Sequence, residues 1–361
     1  MKAALLLLSL TSKSFAMKSG AIVVDDQKQT TLAFEDSGPP KNSSYTTIFA
    51  IHGLSYTSGI WSRVAAVGQK QGLRIVGINR RGYQGSTPFS AAEIAICTNG
   101  TDEQKTQFVR DRGVEIATFI DKFIQENGIP QISTDGKKGG FAILGWSAGA
   151  SFATAAIASI DSLPSDAQSR LSPNLRAHIA QEPASISYGQ TPPPLTWSPQ
   201  IDTSIPENTR LPVFKSWITS FFNHGDLSTR NVDVLEYVVP STIQTPVIFD
   251  MTQSEQDSFI DPSNEDTFET PFVLNSLPQL NAVYKKAYFD KANKERFPRL
   301  KTTFITGDHT ASFSIAALWV TEDDNKANGG DANFVVVPGG NHFLHWAQPE
   351  KAVSLYLQAL S

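Results

Sequence analysis

One stretch of this 361-residue sequence decides the fold: Phe141-Ala142-Ile143-Leu144-Gly145-Trp146-Ser147-Ala148-Gly149. Its four leading apolar residues predict a buried strand, and residues 148–160 predict a helix of small side chains. Between them a Gly-x-Ser-x-Gly pattern stands at the strand-to-helix junction. On such a tight turn the serine is pushed above the sheet, and the flanking glycines let strand and helix approach closely. The bare pattern also fits a structural turn, but in this position it favours Ser147 as a nucleophile.

Strands alternate with helices on both sides of this stretch. Strands are predicted at residues 21–25, 31–35, 45–51 and 73–78 before it, and at 175–181 after it. A long helix is predicted at 103–127, because its apolar residues keep the i, i+3, i+4 spacing of one buried face. The alternation predicts an α/β fold with a mostly parallel sheet and helices on both faces.

The alternation fails between residues 183 and 298. Seven prolines between Pro183 and Pro212 predict a stiff, irregular connection, and aromatic helical faces follow near Trp217 and Tyr284. Our preferred interpretation is a cap (residues 183–298) whose apolar underside covers the Ser147 site. The alternative is a helical subdomain that buries its own core. Strand and helix patterns resume near residue 302, so the core domain is predicted to comprise residues 17–182 and 299–361.

Four ordered motifs resemble the alpha/beta-hydrolase family in its capped form. They are His52-Gly53 after the third strand, Arg81-Gly82-x-x-Gly85-Ser86 after the fourth, the Gly-x-Ser-x-Gly pattern, and Gly340-x-His342 before the last helix. The resemblance implies a mostly parallel sheet with a helical cap inserted after the sixth strand. Residues 183–298 carry no motif of the family that we can name.

The resemblance also implies roles for individual residues. Ser147 would be the nucleophile, and His342 would be the base that takes its proton and then protonates the leaving group. The oxyanion hole would be formed by the backbone amides of Leu54 and Ala148. His52 is interpreted as a structural residue that shapes the loop containing Leu54.

The sequence departs from the family at the catalytic acid. Many members carry Asp at the fourth position of the motif after the seventh strand, where this sequence reads Gly307-Asp308-His309-Thr310. A threonine hydroxyl stays neutral and cannot offset an imidazolium. We therefore predict Asp308 as the acid, with Glu182 after the sixth strand as the alternative.

Composition and charge exclude several classes of function. The net charge of −5 and the absence of a dense Lys/Arg cluster argue against a nucleic-acid partner. No apolar run reaches the roughly 18 residues of a membrane-spanning helix. The single cysteine, Cys97, and a His342/His345 pair without HExxH or a carboxylate cluster make a metal site implausible. No cofactor is expected.

Residues 1–16 have the features of a short signal peptide: Lys2, an apolar run, and Ser14-Phe15-Ala16 as a small-x-small cleavage site. Sequons at Asn42 and Asn99 agree with secretion. The alternative is a cytoplasmic protein whose working start is Met17.

Together these features predict a cofactor-independent serine hydrolase that cleaves a hydrophobic carboxylic ester or lactone through an acyl-enzyme. A serine at position 147 disfavours the epoxide hydrolase and haloalkane dehalogenase branches, which the family builds on an aspartate nucleophile. The alternatives are an acyltransferase or a C–C bond hydrolase on the same triad. A non-catalytic ligand-binding protein on the hydrolase scaffold is the alternative from another class.

Overall fold

The computed structural model describes residues 15–41, 44–262 and 268–361. The predicted signal peptide, apart from its last two residues, and the sequon residue Asn42 lie outside the described residues. Within the described part of the chain one sheet contains eight strands: β1 (Lys18–Asp25), β2 (Thr30–Asp36), β3 (Thr46–Ile51), β4 (Leu73–Ile78), β5 (Phe141–Trp146), β6 (Leu175–Gln181), β7 (Lys301–Gly307) and β8 (Asn333–Val337).

The sheet is mostly parallel, as the sequence predicted. The strand order is β1-β2-β4-β3-β5-β6-β7-β8. β2 pairs antiparallel with both β1 and β4, and the remaining neighbours are parallel. The parallel strands end nearly level, since Gly145 pairs with Ile51 and Gln181 pairs with Ile305. Residues that follow these strands therefore share one edge of the sheet, where ligands of open α/β sheets usually bind.

Helices cover both faces of the sheet. The helices of the core are α1 (Ser62–Lys70), α2 (Ala91–Asn99), α3 (Asp102–Asn127), α4 (Gly149–Ser159), α5 (Ser165–Leu171), α11 (Ser312–Ala327), α12 (Leu344–Ala347) and α13 (Pro349–Ala359). Because side chains alternate along a strand, Phe49 and Ile143 pack on the α3–α4 side, whereas Ala50 and Leu144 pack on the α1–α13 side. Strands β3 to β6 are buried along their whole length, which explains their continuous apolar runs.

The segment between β6 and β7, here called the insertion (residues 182–300), contains the helices α6 (Glu207–Ile218), α7 (Gln253–Phe259), α8 (Thr270–Asn275), α9 (Leu277–Phe289) and α10 (Lys291–Arg296). Its aromatic side chains divide between two environments. Tyr284 and Tyr288 of α9 join the apolar cluster of α3 and α4, and Tyr288 stacks on Phe304 of β7. Phe214 and Trp217 of α6 pack on the opposite cluster. Only part of the insertion therefore faces the Ser147 end of the sheet.

Local sequence signals explain where the long helices begin and end. Helix α3 begins at a capping box, in which Thr101 and Gln104 satisfy each other's backbone amides, and it ends at Gly128 in the left-handed conformation. Helix α11 continues to Ala327, so Glu322 and Asp323 lie within it and pair with Arg230. Among the described residues, no helix is both long and apolar enough to cross a bilayer.

Candidate active site

Ser147 lies on the turn that joins β5 to α4. Its backbone has a φ of +54°, which is unusual for a residue other than glycine. The turn is held by the Ser147 amide, which donates to the carbonyl of Gln181 (2.9 Å). A Cβ on Gly149 would lie 2.4 Å from the carbonyl oxygen of Ile51, so only glycine fits where α4 crosses the end of β3. The spacing of the pattern thus follows from close backbone packing around a strained serine.

His342 lies on the loop that follows β8. Its side chain is almost completely buried, and its carbonyl oxygen accepts a hydrogen bond from the indole of Trp146 (2.9 Å). Its Nδ1 lies 3.5 Å from Oε2 of Glu182. That distance is long for a hydrogen bond, although catalytic hydrogen bonds are often loose in unliganded enzymes. The structure therefore brings His342 together with the carboxylate at the end of β6.

Glu182 is held in place by a left-handed turn and two hydrogen bonds. It is fully buried, and its φ is +52°. Oε1 accepts from the amide of Gly307 (2.6 Å), and Oε2 accepts from the hydroxyl of Thr310 (2.5 Å). Thr310, which replaces the aspartate of the family motif, thus donates a hydrogen bond to the carboxylate that faces His342.

Asp308, our first choice for the acid, faces elsewhere. Its Oδ1 accepts from the amide of Gly339 (2.7 Å), and its side chain is 30% exposed. The amide of Asp308 still donates to Val337, so the backbone continues the β7–β8 pairing at this residue. Because the chain has not yet turned at Asp308, the carboxylate stays beside the loop after β8 at Gly339. Of the two predicted acids, the alternative, Glu182, is the one that approaches His342, and the choice between Asp308 and Glu182 stays a prediction.

The loop after β3 closely approaches the serine. A Cβ on Gly53 would lie 2.9 Å from Cβ of Ser147, and Leu54 and Ala148 both line the same cavity as Ser147 and His342. His52 Nδ1 bonds to the carbonyl of Gly53 (2.8 Å), and its Nε2 accepts from the amide of Arg80 (3.1 Å). Burial and the charge of Arg80 hold the pKa of His52 well below its ordinary value. His52 is thus a neutral ring that shapes the loop.

The cavity above Ser147 has a volume of about 450 Å³. The core contributes Leu54, Ala148 and Phe313, and the insertion contributes most of the remaining wall. The insertion residues are mainly apolar: Ala184, Ile186, Pro192, Pro193, Pro194, Trp197, Ile201, Phe214, Trp217, Ile218, Val273 and Leu274. The insertion also contributes polar residues: Ser185, Ser187, Thr196, Ser198, Gln200, Glu269 and Thr270. Glu269 is the charged residue among them, and its carboxylate would be costly in this wall without a partner.

His345 has no place in this cavity. It is fully buried, its Nδ1 bonds to the side-chain amide of Gln181 (2.8 Å), and it packs on Trp61. Burial, together with nearby His342, holds its pKa well below the ordinary value. In the part of the chain that the structure describes, no group of three or more His, Cys, Asp or Glu side chains is arranged to hold a metal ion.

Sequence reasoning missed a buried network beside the Gly53 loop. Arg80 forms an ion pair with Glu269 of the insertion, and the hydroxyl of Tyr83 donates to the other oxygen of that carboxylate (2.8 Å). The adjacent Arg81 pairs instead with Glu93. Two adjacent arginines after a buried strand, Arg80 and Arg81, were a signal of such a network, but the sequence does not show which arginine faces the site.

Comparison with known proteins agrees with the fold. A model of the alpha/beta hydrolase family matches residues 48–354. No curated protein sequence matches the chain. Among solved structures, the thioesterase domain from the curacin biosynthetic pathway is 16% identical, with 95% of this chain and 99% of that chain covered and a TM-score of 0.52. Epoxide hydrolase A from Mycobacterium thermoresistibile is 12% identical, with 96% and 98% covered and a TM-score of 0.51.

Proposed function

Because the chain belongs to the alpha/beta hydrolase family, we propose that it is a serine hydrolase that cleaves a carboxylic ester or lactone through an acyl-enzyme. Ser147 attacks the carbonyl carbon while His342 takes its proton, and His342 then protonates the leaving oxygen. Water, deprotonated by His342, releases the acyl group. The observation that carries the proposal is the 3.5 Å approach of His342 Nδ1 to Glu182 Oε2 behind a cavity that Ser147 and His342 both line.

In this proposal Glu182 is the acid of the triad. A buried carboxylate offsets the positive charge that His342 gains when it accepts the serine proton. Thr310 and the Gly307 amide hold the carboxylate toward the ring, so the threonine at the family's aspartate position supports the acid instead of replacing it. Asp308 has no catalytic role.

The backbone amides of Leu54 and Ala148 are proposed to bind the oxyanion. Leu54 belongs to the loop that packs against Ser147, and Ala148 precedes helix α4, whose amino terminus favours negative charge. Each donor of this kind typically lowers the barrier by about 3 kcal/mol.

The insertion is proposed to act as a cap that selects the acyl group. The proposal rests on the apolar side chains that α6 and the proline-rich segment before it present to the cavity. A volume of about 450 Å³ falls within the range of small-molecule pockets. A hydrophobic ester or lactone of medium size therefore suits this cavity better than a large polar substrate.

The test is labelling of the purified protein with a fluorophosphonate, alongside a panel of chromogenic esters and lactones. We expect stoichiometric labelling of wild type, none of Ser147→Ala, and turnover of at least one substrate by wild type only. Labelling that persists in Ser147→Ala would exclude Ser147 as the nucleophile. A wild-type protein that is neither labelled nor active would instead indicate a ligand-binding protein on the same scaffold.

A further inference from the structure

The guanidinium of Arg80 lies beneath the loop that contains Leu54. Arg80 follows strand β4, and its side chain is 1% exposed. Its Nε donates to the carbonyl of His52 (3.2 Å), and its Nη2 donates to the carbonyl of Gly53 (3.0 Å). One planar group therefore holds two successive carbonyls of the loop, which a single ammonium cannot do with the same geometry.

The Gly53 carbonyl and the Leu54 amide belong to the same peptide unit. In a trans peptide the C=O and N–H bonds are nearly antiparallel, so fixing one fixes the other. The Arg80 amide donates to Nε2 of His52, so the proton of the neutral ring is on Nδ1. Nδ1 donates this proton to the Gly53 oxygen. Two donors on one side of the peptide, one of them charged, thus orient the Leu54 N–H on the other side.

Glu269 connects this arrangement to the insertion. Its carboxylate pairs with Arg80 and accepts from the Tyr83 hydroxyl (2.8 Å), and the Ser55 amide donates to the same hydroxyl (3.1 Å). Glu269 precedes helix α8 and lines the cavity. The positive charge of Arg80, which holds the loop, is therefore neutralised by Glu269, a residue of the proposed cap.

We propose that Arg80 is a positioning residue that aims the Leu54 amide at the oxyanion, and that Glu269 holds Arg80 in this position. The inference rests on the proposed function, because it assigns the Leu54 amide its role in the reaction. The cation also polarises the peptide and makes its N–H a stronger donor. The insertion and the proposed oxyanion site are then linked through one ion pair.

A purely structural ion pair would affect stability alone, and the fold offers a matched control. Arg74, on the strand β4 that Arg80 follows, forms a similarly buried pair with Asp36 (2.6 Å) at the end of β4 away from Ser147. Arg74→Gln removes a buried guanidinium from β4 without touching the loop that contains Leu54. Arg80→Gln removes the one that holds it.

The experiment compares these two variants with wild type by four measurements: steady-state kinetics, fluorophosphonate labelling, inhibition and hydrogen exchange. For Arg80→Gln we expect kcat and the rate of fluorophosphonate labelling to fall about 10- to 100-fold, with KM changed by less than about threefold. The expected loss is smaller than that for complete removal of an oxyanion-hole donor, because the Leu54 amide is still present but points in a less favourable direction. Inhibition by a trifluoromethyl ketone, which forms an oxyanion on Ser147, should weaken in parallel. Hydrogen exchange in a peptide that covers residues 53–56 should accelerate in Arg80→Gln and not in Arg74→Gln.

Each outcome separates the inference from the proposed function. Wild-type labelling combined with unchanged kcat and unchanged exchange in Arg80→Gln would overturn the role of Arg80 and leave the serine hydrolase intact. An unlabelled wild type would refute the proposed function, whereas hydrogen exchange would still report whether Arg80 holds the loop. If Arg80→Gln does not fold, Arg80→Lys is used: it keeps the charge but cannot hold both carbonyls, and wild-type kcat in that variant would refute the inference.

Discussion

Replacement of Glu182 by glutamine is the sharpest test of the proposed triad. The substitution keeps the shape of the side chain and removes its charge. At an effective dielectric constant of about 20, unit charges 3.5 Å apart attract by about 4.7 kcal/mol. This attraction exists only after His342 has accepted the serine proton, so it lowers the barrier and not the energy of the bound substrate. The loss corresponds to about three orders of magnitude in kcat.

The assay is hydrolysis of a 4-nitrophenyl ester by Glu182→Gln, with Asp308→Asn as the matched control. Asp308→Asn should keep kcat within about threefold, because its side chain is partly exposed and an amide oxygen can still accept from Gly339. Glu182→Gln should lose only about 1 kcal/mol of stability by urea titration, since its amide oxygen can still accept from Gly307. The reasoning is refuted if Asp308→Asn loses the three orders of magnitude and Glu182→Gln stays within about fivefold of wild type.

Three further predictions concern His342 and His345, the cavity wall, and the buried His178. His342→Ala should lower kcat by about a thousand-fold or more, whereas His345→Ala should mainly lower stability. The reverse result in kinetics and thermal melts would identify His345, and not His342, as the base. Trp217→Ala should enlarge the cavity and raise the preference for bulky over short acyl esters, while Trp319→Ala, which removes a buried indole outside the cavity lining, should not change that preference. Burial lowers the pKa of His178 to about 3, so the unfolded chain binds an extra proton between about pH 6.5 and 3 and stability falls with falling pH. Between pH 7 and 5 His178 should account for about 2 kcal/mol of the loss in the free energy of unfolding. Urea titrations should show that this part of the loss is absent in His178→Gln.

The sequence alone determined the sheet and the strand-to-helix turn that contains Ser147. Both depend on local patterns: continuous apolar runs are typical of strands buried on two faces, and a serine between two glycines at a strand-to-helix junction fits one kind of turn. The position of His342 was also local, since it follows a glycine pair after the last strand. These features require no knowledge of which distant residues meet.

The insertion shows how far such patterns extend. Its aromatic spacing predicted buried helical faces, and Phe214 and Tyr284 are both buried. Periodicity does not show what a face packs against, so it could not distinguish α6, which lines the cavity, from α9, which packs on the core.

Only the tertiary structure decided which carboxylate approaches His342 and which groups Arg80 contacts. Asp308 and Glu182 both end buried strands, and the sequence cannot show that the backbone turns left-handed at Glu182 while it still follows β8 at Asp308. Likewise, Arg80 and Arg81 are chemically identical neighbours, but the first lies beneath the Gly53 loop and the second pairs with Glu93. The direction of a side chain at the end of a strand depends on one or two backbone dihedrals, and these are set by contacts with residues far away in the sequence.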